Sequence, residues 1–304
     1  MRILISGAGG TVGRALAPAL TADGHTVIRL VRARPPRDAR EFRWDPKAGV
    51  MDPAAIPSCD AVIHLAGAGI AAGRWTASRK AEIMESRRAG TRMIAAAIAS
   101  AVPPPRVLIC ASAVGYYGDR GNEVLTEESG PGTGFLADVV RAWEAEARIA
   151  AQAGVRVVHL RQGLVLARHG GALPTIAFPF RLGLGGPIGA GRHWLSWISL
   201  ADLIRIVRHL LARDDITGPI NAVSPQPVLH ADFSRALARV LGRPALLRVP
   251  GWSLRAVLGE MGRELLLFSQ RVVPARLVAG GFTFDHSAIE EALRHTLGAA
   301  EVSA

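Results

Sequence analysis

Cysteine is scarce in this chain: Cys59 and Cys110 are the only two, and they lie far apart. That excludes a disulfide scaffold and offers no metal-ligand spacing, so the expectation is two structural thiols in a reducing compartment, with no metal. Long apolar runs are missing too. None approaches the roughly eighteen residues that span a bilayer, which predicts a soluble chain without a membrane partner. The opening Met1-Arg2-Ile3-Leu4-Ile5-Ser6-Gly7 runs straight into a strand pattern and carries no basic leader with an apolar core, which predicts a cytoplasmic protein.

Lysine is nearly absent, with only Lys47 and Lys80, so the formal charge of +11 is arginine charge. Those arginines are dispersed, and clusters such as Arg32-Ala33-Arg34-Pro35-Pro36-Arg37 are short. No DNA- or RNA-binding module accompanies them, and no nucleic-acid partner is expected. Tyrosine occurs only at Tyr116 and Tyr117.

What is present is a regular alternation. Through about residue 165, short Val/Ile/Leu-rich runs at Arg2 to Ile5, Thr26 to Val31, Ala61 to Leu65, Val107 to Ala111 and Val155 to Leu160 alternate with helical patterns. Strands that are apolar on both faces, separated by helices, predict an α/β fold with a Rossmann-type, doubly wound parallel sheet. Helical spacing covers Val12 to Leu20, about Ser78 to Ala101, about Phe135 to Ala153, Leu200 to Ala212 and Asp232 to Leu241. Gly170-Gly171 and then Arg181 to Pro187 are glycine-rich and read as irregular. The predicted division is a dinucleotide-binding domain over 1–228, with substrate loops in 166–199, and a smaller C-terminal substrate or cap region over 229–304.

Gly7, Gly10 and Gly13 stand between the first strand and the first helix. A turn that brings a pyrophosphate to helix N-terminal amides must lack side chains at the point of approach, and the last glycine lets helix and strand pack closely. The alternative is a tight turn without ligand; strand, helix and second strand in order favour the dinucleotide. Gly7, Gly10, Thr11, Val12 and Gly13 are the candidate cofactor loop. The second strand ends at Val31-Arg32, where an NAD-binding chain usually places a carboxylate; a guanidinium there favours NADP by pairing with its 2′-phosphate.

Joined to Asp60-Ala61-Val62-Ile63-His64-Leu65-Ala66-Gly67, these features resemble the extended short-chain dehydrogenase/reductases. Arg74-Trp75 through Ser86-Arg87, Gly90-Thr91-Arg92, Ser112 through Gly118, Leu182 to Gly191 with Trp194 to Ile198, and Gln270 to Pro274 look like the atypical epimerase-like subfamily, described as nucleoside-diphosphate-sugar epimerases with a small C-terminal domain. The resemblance implies an NADP-dependent oxidoreductase or epimerase-like enzyme for a small polar or nucleotide-sugar-like substrate. It further implies that Leu65, Ala66 and Gly67 lie against the adenosine or ribose and that Val165 borders the nicotinamide. Glu82 and Arg87 would reach ribose and phosphates; an exposed helical ion pair is the competing reading.

One feature of the group is missing. Its enzymes use Tyr-x-x-x-Lys, the lysine lowering the tyrosine pKa for proton exchange. If Glu144 aligns with the group's later glutamate, Leu136 and Val140 stand where the pair belongs. Ser112 and Tyr116 become the candidates for substrate polarisation or proton donation, with Ala113 the alternative to Ser112 in a second register. Strand-end hydrogen bonding and loop packing are the competing roles. His193 and Trp197 lie in the expected substrate segment. A second function fits the same residues: a catalytically silent NADP(H)-binding redox sensor or regulatory protein. Oligomeric state is open.

Overall fold

The computed structural model describes residues 1–32, 35–57, 59–245 and 247–298. Ala33 and Arg34 of the basic cluster lie outside them. The principal sheet contains β1 (Arg2–Ser6), β2 (Thr26–Val31), β3 (Glu41–Asp45), β4 (Val50–Met51), β5 (Ala61–His64), β6 (Val107–Ala113), and the strands Arg156–Gln162 and Gly218–Ala222. From one edge the order is Gly218–Ala222, Arg156–Gln162, β6, β5, β1, β2, β3, β4. Every pairing is parallel except the terminal β3 with β4. The order reverses at β1, whose neighbours are β2 and β5, so the crevice beyond the ends of β1 and β5 is the topological switch point where such sheets bind ligands.

The sheet is covered on both faces, which is why its central strands lack polar alternation. Helix α1 (Thr11–Ala22) and the helix Leu200–Ala212 close one side through Leu16, Leu20, Leu203, Ile206 and Leu210. Helices α2 (Ala77–Ala99) and α3 (Phe135–Glu146) close the other, with Ile94, Ile98 and Trp143 in that core. Thr76 starts α2, its side chain accepting from the Arg79 amide at 3.2 Å.

The structure adds to these expectations. β3 and β4 were not expected: the alternating pattern of Glu41-Phe42-Arg43-Trp44-Asp45 belongs to a half-exposed sheet margin, where only Glu41 and Trp44 are buried. A helix that the sequence reading did not mark, Leu173–Arg181, fills the space between the two glycine-rich pieces. Its Pro174 sits in the first turn, where a missing N–H costs nothing. One buried cluster spans residue 228, joining Leu166, Leu173, Phe180 and Trp197 to Phe233, Leu237 and Leu293. Among the described residues no helix is long and apolar enough to cross a membrane.

Candidate active site at the sheet switch point

A cleft of about 1210 Å³ opens beyond β1 and β5. Its walls include Gly7, Gly9 and Gly10, the β2 end at Val31 and Arg32, and Leu65, Ala66 and Gly67 after β5. Gly7 has φ +75°, and a Cβ there would lie 2.8 Å from backbone atoms of Leu65 and Ala66. At Gly13 it would lie 2.4 Å from the Gly7 carbonyl oxygen. Both glycines therefore let backbone segments touch. Gly10 caps α1 without any side-chain hydrogen bond to the first turn, so the helix N-terminus presents its amides towards the cleft rather than to a side chain of its own.

Arg32 is exposed at the rim. Two residues that sequence reasoning missed join it: Arg14 on α1 and Arg29 on β2. Arg29 lies two residues before Val31, on the same face of the strand, and that spacing was the available signal. None of the three guanidiniums has a carboxylate partner among the described residues. This donor set fits a nicotinamide dinucleotide with an additional phosphate.

The remaining cofactor candidates fall outside the cleft walls. Thr11 packs beneath the Gly170 turn, and Val12 and Val165 border the α1-side core. Glu82 is engaged with Arg79 at 2.6 Å and lies 3.8 Å from Lys47, the ion-pair alternative for that residue. Arg87 is different. It donates to the Ala68 and Ile83 carbonyls at 3.1 and 3.2 Å and lies 5.0 Å over the Trp143 ring, beside Gly67. Burial, reinforced by the charge of Arg79, lowers its pKa to about 10. It meets no carboxylate among the described residues.

Next to this lies a buried polar network that no local pattern announces. Ser112 donates to Glu144 at 2.6 Å; Arg161 grips both Glu144 oxygens at 2.9 Å and donates to the Tyr117 hydroxyl at 3.0 Å. Tyr117 donates to Asn221 at 2.7 Å. Burial pushes the Glu144 carboxyl upward, but the Arg161 hydrogen bond, the charges of His159 and Arg161, and the Ser112 hydroxyl together hold it below the ordinary carboxylate value. Burial raises the Tyr117 phenol.

Ser112 is thus only 4% exposed and its proton is committed, which makes it a positioning group rather than a free polariser. Tyr116 is half-buried, with its ring 3.5 Å from the Arg161 guanidinium carbon and its hydroxyl without a partner among the described residues. Leu136 and Val140 press against the turn below: a Cβ on Gly115 would meet them at 3.3 and 4.0 Å. His193 is half-buried and stacks on His230 at 4.6 Å, and burial lowers both pKa values, His230 to about 4 with the charge of His193 as a second cause. Trp197 corrects the expectation of a substrate aromatic. It is wholly buried, and its indole N–H donates to the Gln226 carbonyl at 3.0 Å, so it serves the core. Among the described residues, no group of three or more metal-ligating side chains gathers.

Comparison with known proteins agrees with this geometry. An epimerase family protein of Mycobacterium bovis is 42% identical over 291 residues, 96% of this chain and 96% of that protein. The crystal structure of the human epimerase family protein SDR39U1 with NADPH superposes with a TM-score of 0.90 at 34% identity, covering 98% of this chain and 99% of that one. A nucleoside-diphosphate sugar epimerase from Corynebacterium glutamicum gives 0.81 at 37% identity, covering 98% of this chain and 58% of that one. Residues 249–296 match a domain of unknown function, DUF1731. Residues 3–222, containing the glycine turn, the switch-point crevice and the polar network, match the model of the NAD dependent epimerase/dehydratase family, and the chain belongs to that family.

Proposed function

We propose that the protein is an NADP-dependent oxidoreductase or epimerase-like enzyme acting on a small polar or nucleotide-sugar-like substrate. The observation that carries this reading is the trio Arg14, Arg29 and Arg32, unpaired around a cleft that begins at the uncapped N-terminus of α1. A 2′-phosphate gives these cations a partner, and NADPH is the cofactor named for the human relative. The α1 amides and the Gly7, Gly10 and Gly13 turn hold the pyrophosphate, Leu65 to Gly67 face the adenosine or ribose, and Arg87 supplies a nearby positive charge. The nicotinamide supplies the redox chemistry.

The chain's own part is to orient substrate and to handle one proton. With Leu136 and Val140 in place of a tyrosine-lysine pair, Tyr116 is the half-buried phenol whose hydroxyl has no partner among the described residues. Arg161, locked by Glu144, fixes the Tyr116 ring from beneath, and Ser112 helps fix Glu144. His193 borders the substrate side in this reading. Cys59 and Cys110 are both buried, and no disulfide joins them, which suits the cytoplasm.

Calorimetry tests the cofactor assignment: NADPH binds at least about tenfold more tightly than NADH, and Arg32→Ala removes the difference. Equal affinities in the parent overturn it. The committed Ser112 proton and the apolar Leu136 and Val140 favour a second reading, a catalytically silent NADP(H)-binding sensor. Following the absorbance of bound NADPH while nucleotide sugars, ketones and quinones are offered separates the two. Oxidation lost in Tyr116→Phe supports the enzyme; retained binding with no turnover supports the sensor.

A further inference from the structure

The sequence has an asymmetry of charge that the cofactor cleft does not use. Residues 147–201 contain no Asp or Glu, and neither do residues 233–259. The fold brings parts of these two acid-free runs together. Gly189 donates to the Val249 carbonyl at 2.8 Å, and Val249 donates to the Pro187 carbonyl at 3.1 Å. The turn after the helix Leu173–Arg181 is held back on that helix by the Leu184 amide, which donates to the Pro179 carbonyl at 2.9 Å.

The surface so formed is apolar and exposed. Phe178, Leu182, Leu184, Leu247 and Trp252 are each between 49% and 73% exposed. Single exposed leucines need no explanation, but five large apolar side chains exposed on two hydrogen-bonded segments point to an interaction site. Arg181 and Arg248 directly flank Leu182 and Leu247 in the chain, and Arg192 and Arg243 belong to the same two segments. All four arginines are exposed, and none has an acidic partner among the described residues.

We propose that this face docks on an anionic lipid bilayer, with Trp252 and the leucines entering the headgroup boundary and the arginines meeting lipid phosphates. Aliphatic residues with a tryptophan gain from an interface that is apolar inside and wet outside, and guanidiniums add attraction to anionic headgroups. A second copy of the chain fits less well. A two-fold contact would set arginine against arginine, with no carboxylate on the contributing segments. Nucleic acid would use the arginines but leave the leucines without a purpose. The inference is independent of the NADP reading, since none of these residues lines the cofactor cleft. It concerns surface attachment and requires no spanning helix.

The test is co-sedimentation of the full chain with phosphatidylcholine vesicles, with and without phosphatidylglycerol. The expected result is binding only to the vesicles containing phosphatidylglycerol, with a blue shift of tryptophan emission that Trp252→Ser removes. Arg181→Glu with Arg248→Glu weakens partitioning by about twentyfold or more, from roughly fivefold per arginine. Leu184→Ser with Trp252→Ser weakens it by about tenfold through lost apolar burial. Thermal melts matching the parent show that these surface variants are folded. No binding to anionic vesicles overturns the proposal, as does binding that ignores the apolar pair. Equally tight, arginine-dependent binding to a DNA duplex overturns it in favour of nucleic acid. A dimer seen by light scattering that Trp252→Ser dissociates overturns it in favour of self-association.

Discussion

His64 shows how burial converts a residue's ordinary chemistry into a pH-dependent stability. It ends β5 fully buried, its Nδ1 lies 2.6 Å from the Ser6 hydroxyl, and its ring meets Trp44 edge-on. Burial lowers its pKa from 6.5 to about 4. Between those values the unfolded ring takes up a proton and the native ring does not, so stability falls as pH falls. Across that window the loss is about 3 kcal/mol for this residue. Urea unfolding followed from neutral to acidic pH should show that loss in the parent and a smaller one in His64→Leu; an equally steep fall in the variant would assign the acid sensitivity elsewhere. The glycine turn and the Arg32 rim were the legible part of the candidate site. The Gly7 to Gly13 turn and Arg32 announce themselves because backbone approach demands glycine and a strand end demands a chosen charge. Arg161 and Glu144 form a bidentate pair that no local pattern suggests, because what makes it matter is the Tyr116 ring lying on one face of the guanidinium.

At the scale of elements, the N-terminus of α3 depends on a residue from far along the chain. Glu264, on the helix Gly251–Leu266, accepts from the Phe135 and Leu136 amides at 2.8 Å each. The same helix places Glu260 2.8 Å from Lys80 of α2, whose ammonium lies 4.6 Å from the centre of the Phe135 ring. The side chain of Glu264 is fully buried, so Glu264→Ala would leave two sheltered amides without an acceptor, at a cost of about 1–3 kcal/mol. Glu264→Gln retains one acceptor oxygen and should cost less. Denaturant unfolding ranks the two, and hydrogen exchange at Leu136 should accelerate more in the alanine variant; identical exchange in both would remove Glu264 as the cap. Sequence predicted α3 from its periodicity but not this cap, because Gly134 offers no capping side chain and the acceptor is contributed from the distant helix.

At the scale of the whole molecule, side chains after residue 228 share a buried cluster with side chains before it. Phe233, Leu237 and Leu293 cover Leu173, Phe180 and Trp197, so a chain ending at residue 228 would leave those side chains facing water. Such a truncation should lose the cooperative thermal transition and bind hydrophobic dye; a sharp transition near the parent's temperature would restore residue 228 as a domain boundary. The sequence by itself determined the parallel sheet, its strands β1, β2, β5, β6 and Arg156–Gln162 with the helices between them, and the glycine turn after β1. Each follows from local rules: apolar runs without alternation, helical spacing, and glycines where backbones meet. Only the tertiary structure decided that Trp197 packs inside, that Ser112 donates a hydrogen bond to Glu144, and that two acid-free segments are hydrogen-bonded together. Those outcomes depend on which distant atoms become neighbours. The free energy of a buried hydrogen bond, or of an apolar surface left in water, is set by that neighbourhood and not by the residue's own position in the chain.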